Sequence, residues 1–123
     1  MMNLTDVRAY AKKMIGVNSD TGKHLITKVS GVSFDEKKYL LNIINENTKA
    51  KLERDKGNPH DSFAVKVMVF ISNSWHHVGF IPKTISKKIS DDLDSGCNLV
   101  TNIIKVTGFD NVKGLLLKIE GVL

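Results

Sequence analysis

Between Phe63 and Ile71 the chain alternates apolar and polar positions: "FAVKVMVFI" puts Phe63, Val65, Val67, Val69 and Ile71 on one face. A period of two predicts a β-strand with one buried face, and no other strand signal in the chain is as strong. "SNS" turns the chain, and "WHHVGFI", Trp75 to Ile81, returns as a hairpin partner. "KAKLE", Lys49 to Glu53, predicts a short strand with Ala50 and Leu52 inward. "HLITKVSGV", His24 to Val32, is β-branched and roughly alternating, with Gly31 marking a bulge or a close backbone approach. Two final strands, "NLVTNIIKVTGF" and "GLLLKIEGV", are joined by a turn through "DNVKG".

Three segments repeat at helical spacing instead. Thr5 can cap a helix from about Asp6 to Ile15, with Val7, Ala11, Met14 and Ile15 as its apolar stripe and Gly16 as its stop. Ser33 and Glu36 have the spacing of a capping box, and Tyr39, Leu40, Ile43 and Ile44 then point to the core. Pro82 opens the third helix, where a missing N–H is no loss. Ile85, Ile89 and Leu93 form its stripe, Lys83, Lys87 and Lys88 lie off it, and Gly96 ends it.

The order is helix, strand, helix, three strands, helix, two strands. Helices are too few and connections too short for a parallel sheet. The pattern predicts a mainly β protein with α (α+β): a small antiparallel barrel with two helices across it, plus an N-terminal helix. The Gly-, Ser- and Asn-rich stretch "GVNSDTGKH" divides an appendage, residues 1–23, from the barrel domain, residues 24–123. The appendage helix packs on the body or binds a partner.

Composition narrows the picture modestly. A chain of 123 residues suits one domain with a real core, and 41% apolar with 25% charged residues is ordinary for a globule in water. No apolar run approaches the roughly 20 residues of a membrane span, and the N-terminus lacks the apolar region of a secretory signal. A single cysteine, Cys97, cannot form an internal disulfide, so the expected location is cytoplasmic and no membrane partner is expected. The formal charge of +5 is compatible with an anionic partner but does not select one.

Enzyme signatures are weak. Neither a P-loop nor a dinucleotide fingerprint is present. Cys97 has no motif neighbour and reads as a packed or half-buried thiol. His24, His60, His76 and His77 lack ligand spacing, and the adjacent pair points to opposite faces of a strand, so no metal or cofactor is expected. Asp91 and Asp92 sit a turn from Lys87 and Lys88, which reads as a solvated, charge-mixed helix face.

"LERDKGNPHDSFAVKV" followed by "HVGFIPKTISKKISDDLDSG" resembles the HIRAN domain family. That family repeats the pattern R-x-x-x-N-P-x-D, then A-(V/I)-x-V, a hairpin, (V/I)-G-x-(I/L)-P and a helix. Arg54, Asn58, Pro59, Asp61, Ala64, Val65, Val67, Val78, Gly79, Ile81 and Pro82 match in order. "VSGVSF" is similar to the family's start, with Gly31 and Phe34 in place, and the resemblance covers about Ile26 to Val122. It implies an OB-like barrel and a non-catalytic module that grips the 3′ end of single-stranded DNA, as in helicase-linked members. It also implies work in DNA repair or replication, with a helicase or other repair protein as a further partner. The short chain is expected to be a free-standing bacterial or phage member. Its oligomeric state is not implied.

On this resemblance the site residues are Phe34, Arg54, Asn58, His60, Asp61 and Lys83. Phe34 and His60 would stack on bases, Arg54 and Lys83 would meet phosphates, and Asn58 would bond a base edge or sugar. Asp61 would accept a hydrogen bond from the terminal hydroxyl and repel a phosphate there. Each has a structural reading beside it. Phe34 could staple the capped helix, Asn58 and Pro59 could be turn chemistry, and Asp61 could cap the turn or pair with Arg54. Lys83 in a first helical turn opposes the macrodipole, which favours a functional role for it. The helicase-linked members carry a basic residue and two adjacent aromatics in the first loop; here it reads Ser33, Phe34, Asp35, and His60 fills an aromatic slot. Both departures weaken stacking and phosphate contact. Two other readings stand beside this one: a protein-interaction or assembly domain without DNA binding, and an accessory component of a helicase or nuclease system.

Overall fold

A computed structural model of the chain describes residues 24–31, 38–109 and 112–122. Its elements are β1 (His24–Lys28), α1 (Lys38–Ile43), β2 (Lys49–Arg54), β3 (Val65–Ile71), β4 (Ser74–Phe80), α2 (Lys83–Asp94), β5 (Asn98–Phe109) and β6 (Val112–Val122). This is the order that the hydrophobic pattern predicts after the first helix. The predicted N-terminal helix, Phe34 and the Ser33–Glu36 box lie outside the described residues. Neither described helix is long and apolar enough to cross a membrane.

The six strands pair antiparallel in the order β1-β6-β5-β2-β3-β4. The two edges of this sheet also touch. Ser30, just past β1, and Phe80, the last residue of β4, exchange backbone hydrogen bonds of 2.7 and 2.8 Å. A sheet whose edges meet has curled into a small barrel. Gly31 follows at φ +68°, a left-handed turn that a residue with a Cβ adopts only with strain.

Alternation in β3 fills the interior. Val65, Val67 and Val69 have no exposed surface, and Val78, Leu117 and Ile119 meet them inside the barrel. Each such side chain contributes roughly 1.5–3 kcal/mol by leaving water. The β3–β4 hairpin turns through Ser72 and Asn73, both at positive φ, a primed turn that matches the strand twist. A bulge between Val67 and Met68 makes Val78 the extra residue of β4. The α2 stripe packs as predicted: Ile89 is buried, and Ile85 and Leu93 are partly buried against the core.

Two predicted core positions face out. Phe63 is 38% exposed, because β3 begins only at Val65. The Asp61 carboxylate accepts the Phe63 N–H at 2.9 Å and the Asp61 carbonyl accepts the Ala64 N–H at 3.1 Å, which folds 61–64 into a turn before the strand starts. Ile43 is 52% exposed, and Leu41 is buried with Leu40 and Ile44 instead. Helical periodicity permits either set as one face, and packing chose the one containing Leu41.

One buried polar atom is an anomaly. Thr101 in β5 points inward beside Ile103, and its Oγ1 is buried with no hydrogen-bond partner among the described residues. An orphaned hydroxyl costs roughly 1–3 kcal/mol. Thr101→Val should therefore raise unfolding stability by about 1 kcal/mol in a urea titration. A loss of stability would show that the hydroxyl has a partner.

Candidate functional site

The segment from Asp55 to Ala64 leaves β2 and enters β3, and backbone pairing closes it: Asp55 N–H donates to the Ala64 carbonyl at 3.0 Å. Inside it, Asn58 organises the turn. Its Oδ1 accepts the N–H groups of His60 (2.8 Å) and Asp61 (3.1 Å), and its Nδ2 donates to Asp55 Oδ2 at 3.1 Å. The short amide mimics a backbone turn, which is why Asn before Pro59 suits this place.

Arg54 sits at the end of β2, with its side chain only 14% exposed. Its Nη1 donates to the Ala64 carbonyl (2.7 Å), its Nη2 to the Ser62 carbonyl (3.2 Å) and its Nε to Asp94 Oδ1 (3.1 Å). A planar fork can satisfy two carbonyls and a carboxylate at once, which a lysine cannot. The guanidinium thus binds the end of the loop to the last turn of α2.

The first turns of α2 hold the loop from the other end. Ser86 Oγ donates to Asp61 Oδ2 at 3.1 Å, and Lys83 Nζ donates to the His60 carbonyl at 3.1 Å. Asp61 therefore accepts one hydrogen bond on each carboxylate oxygen, and each oxygen keeps a lone pair. Pro82 caps α2 without a side-chain hydrogen bond, and no acidic residue lies in the first turn. Free N–H groups, the positive end of the helix dipole and Lys83 gather there, with the Asp61 carboxylate beside them.

Five of the six sequence-predicted site residues lie in the described part, and all five belong to this assembly. Arg54 and Asn58 are occupied in building it. The His60 side chain is exposed, and Lys83 lies at the surface. Phe34 lies outside the described residues, three positions beyond Gly31.

Two further aromatics, not among the sequence-predicted site residues, border this assembly. Phe80 fills the variable position between Gly79 and Ile81. It bridges to Ser30, lies against Gly31, packs edge-on to His77 at 4.7 Å between ring centroids, and precedes Ile81, Pro82 and Lys83. It stands where the first loop begins and α2 starts. Phe63, displaced from the core, carries Lys87 Nζ 5.1 Å from its ring centroid, and Lys87 also pairs with Asp91 at 2.8 Å. The signal for Phe63 was Asp61 two residues earlier, a side chain placed to capture its N–H.

Other titratable groups sit apart. Lys88 has its pKa raised above the usual lysine value, because its hydrogen bond to Asp92 at 2.9 Å outweighs the opposing effect of burial. It stays charged at neutral pH. His76 bonds Ser74 and the Ile71 carbonyl, His77 bonds the Gly79 carbonyl, and Cys97 is exposed.

A family model described as HIRAN domain matches residues 10–116. Among solved structures, the chain is similar to the crystal structure of the HIRAN domain of human HLTF: 23% identity and a TM-score of 0.59, over 80% of this chain and 74% of that one. At that identity the likeness concerns the fold. No curated relative matches by sequence.

The loop's rigidity rests on Asn58. Asn58→Ala leaves the His60 and Asp61 N–H groups without their acceptor and should lower unfolding stability by about 1–2 kcal/mol while the barrel still folds. An unchanged urea midpoint would show that the turn holds without the amide.

Proposed function

The chain belongs to the HIRAN domain family, and from that membership we propose that it is a non-catalytic module that binds single-stranded DNA by its 3′ end. The observation that carries this reading is the pair Asp61 and Lys83: an anion on a locked loop and a cation on the uncapped helix start that holds it.

A strand terminus presents two kinds of group within a short distance, a free hydroxyl and the last phosphates. A carboxylate with spare lone pairs accepts from the hydroxyl and repels a phosphate in the same place. Lys83 and the first-turn N–H groups of α2 suit the phosphate that precedes it. Donation to the His60 carbonyl uses one of the ammonium's three hydrogens and leaves two for a ligand. His60, Phe80 and Phe34 supply ring faces for the terminal bases, each such stack contributing roughly 1–3 kcal/mol. Arg54 and Asn58 act as positioning residues. Their hydrogen bonds set the loop before any ligand arrives, so little ordering entropy is lost on binding. A role in DNA repair or replication, beside a helicase, is part of the same proposal.

Titration of labelled single strands should show an end with 3′-hydroxyl binding about tenfold more tightly than one with 3′-phosphate, a difference of about 1.4 kcal/mol. Asp61→Asn should shrink that ratio. Lys83→Ala should weaken both ends and reduce the salt slope of log affinity by about 0.7, the value for one single-strand phosphate contact. Equal affinity for the two ends would remove Asp61 from the role of hydroxyl reader. An absence of binding at low salt would end the nucleic-acid reading.

A further inference from the structure

The outer face of the barrel carries a second constellation. Phe70 in β3 and Trp75 in β4 stand opposite each other in register, with ring centroids 5.2 Å apart in an edge-on pair. They are 36% and 38% exposed, two rings side by side on the outer face of one hairpin. Lys51 reaches from β2 to place its Nζ 4.4 Å from the Trp75 ring centroid. Register puts Lys49 and Lys66 on the same outward face, because Ala50, Leu52, Val65 and Val67 take the inward one. The acidic residue among them is Glu53, opposite Lys66; Lys118 and Glu120, further across the sheet, pair with each other at 3.1 Å.

We infer that this face is a second contact for unpaired nucleic acid, in which bases stack on Trp75 and Phe70 while Lys49, Lys51 and Lys66 meet phosphates. The inference rests on the nucleic-acid reading of the chain, but not on its end pocket. The occupant follows from charge and shape together. Three lysines against one glutamate around two exposed rings fit a polyanion that also has flat apolar faces. An acidic protein segment would use the lysines and leave the rings wet. Lys51 above the Trp75 ring is not an obstacle: an exposed ammonium–ring contact is weaker than base stacking, and the flexible lysine can move to the phosphate.

The face also leads to the proposed pocket. From Trp75 to Phe80 is roughly 16 Å of strand. His77 and Phe80 continue the outward aromatic row between them, ending beside Pro82 and Lys83. A strand whose end sits at Lys83 could lay its preceding nucleotides along β4. The same face needs no end, so it should also hold a closed strand.

Trp75 is the single tryptophan of the chain, so its emission reports this face directly. The probe is a closed circular oligothymidylate of roughly 30 nucleotides, longer than the ~4–16 usual for a face of this kind. Titrated into the full chain, it should quench Trp75 emission. The double substitution Lys51→Ala with Lys66→Ala, checked for unchanged thermal unfolding, should weaken that binding at least about fivefold and lower its salt slope. No quenching by the circle, or quenching unaffected by the double substitution, overturns the inference. If short linear strands still distinguish 3′-hydroxyl from 3′-phosphate in that case, the end pocket stands and the face falls. If the circle quenches while the two ends bind equally, the face stands and the pocket falls.

Discussion

Two backbone hydrogen bonds between Ser30 and Phe80 join the open edges of a six-stranded sheet, and the candidate site exists because they do. Without them, β1 and β4 would be edges at opposite sides of the sheet, exposed to pairing with other chains. With them, Ser30 and Gly31 are brought against the strand that feeds α2. Phe80 is the hinge of this arrangement. Its backbone closes the sheet, and its ring lies against Gly31 and edge-on to His77. Residues some fifty positions apart in the chain thereby come to border one small surface.

The second constraint is polar satisfaction. The Asp55–Ala64 segment is rich in side chains that look like ligand-binding groups, and most of their capacity is turned inward. Arg54 serves two carbonyls and Asp94, and Asn58 serves two N–H groups and Asp55. A loop of backbone donors and acceptors without regular pairing needs such partners. What is left over defines the chemistry: the exposed imidazole of His60, two hydrogens of the Lys83 ammonium and the unused lone pairs of Asp61. The site is small, held from both ends of α2, and mixed in charge.

Much of the architecture was legible from alternation and spacing. The strands β2 to β6 and the helix α2 follow from periods of two and near four, and the burial of Val65, Val67 and Val69 was written in "AVKVMV". The family pattern pointed to the Asp55–Ala64 segment, and the structure brings Arg54, Asn58, His60, Asp61 and Lys83 together there. Where the reading failed, the cause was local chemistry competing with periodicity. Phe63 continues the apolar alternation perfectly well, but Asp61 captures its N–H and ends the strand short of it. Ile43 and Leu41 each fit a helical face with Leu40 and Ile44, and only the packed neighbours chose the face with Leu41.

The sequence by itself determined which segments become strands, which faces they bury and which loop collects the polar groups, because these depend on short-range periodicity and on side chains a few residues apart. Tertiary structure decided the rest. It decided that Arg54 spends its donors on Ser62, Ala64 and Asp94, that Lys83 ties α2 to His60, and that Phe80 stands at the closure of the sheet. It also decided that Lys51, Phe70 and Trp75, from three strands, share one outer patch. These contacts join residues up to fifty positions apart, and no local pattern records a distance that only the closing of a barrel brings about.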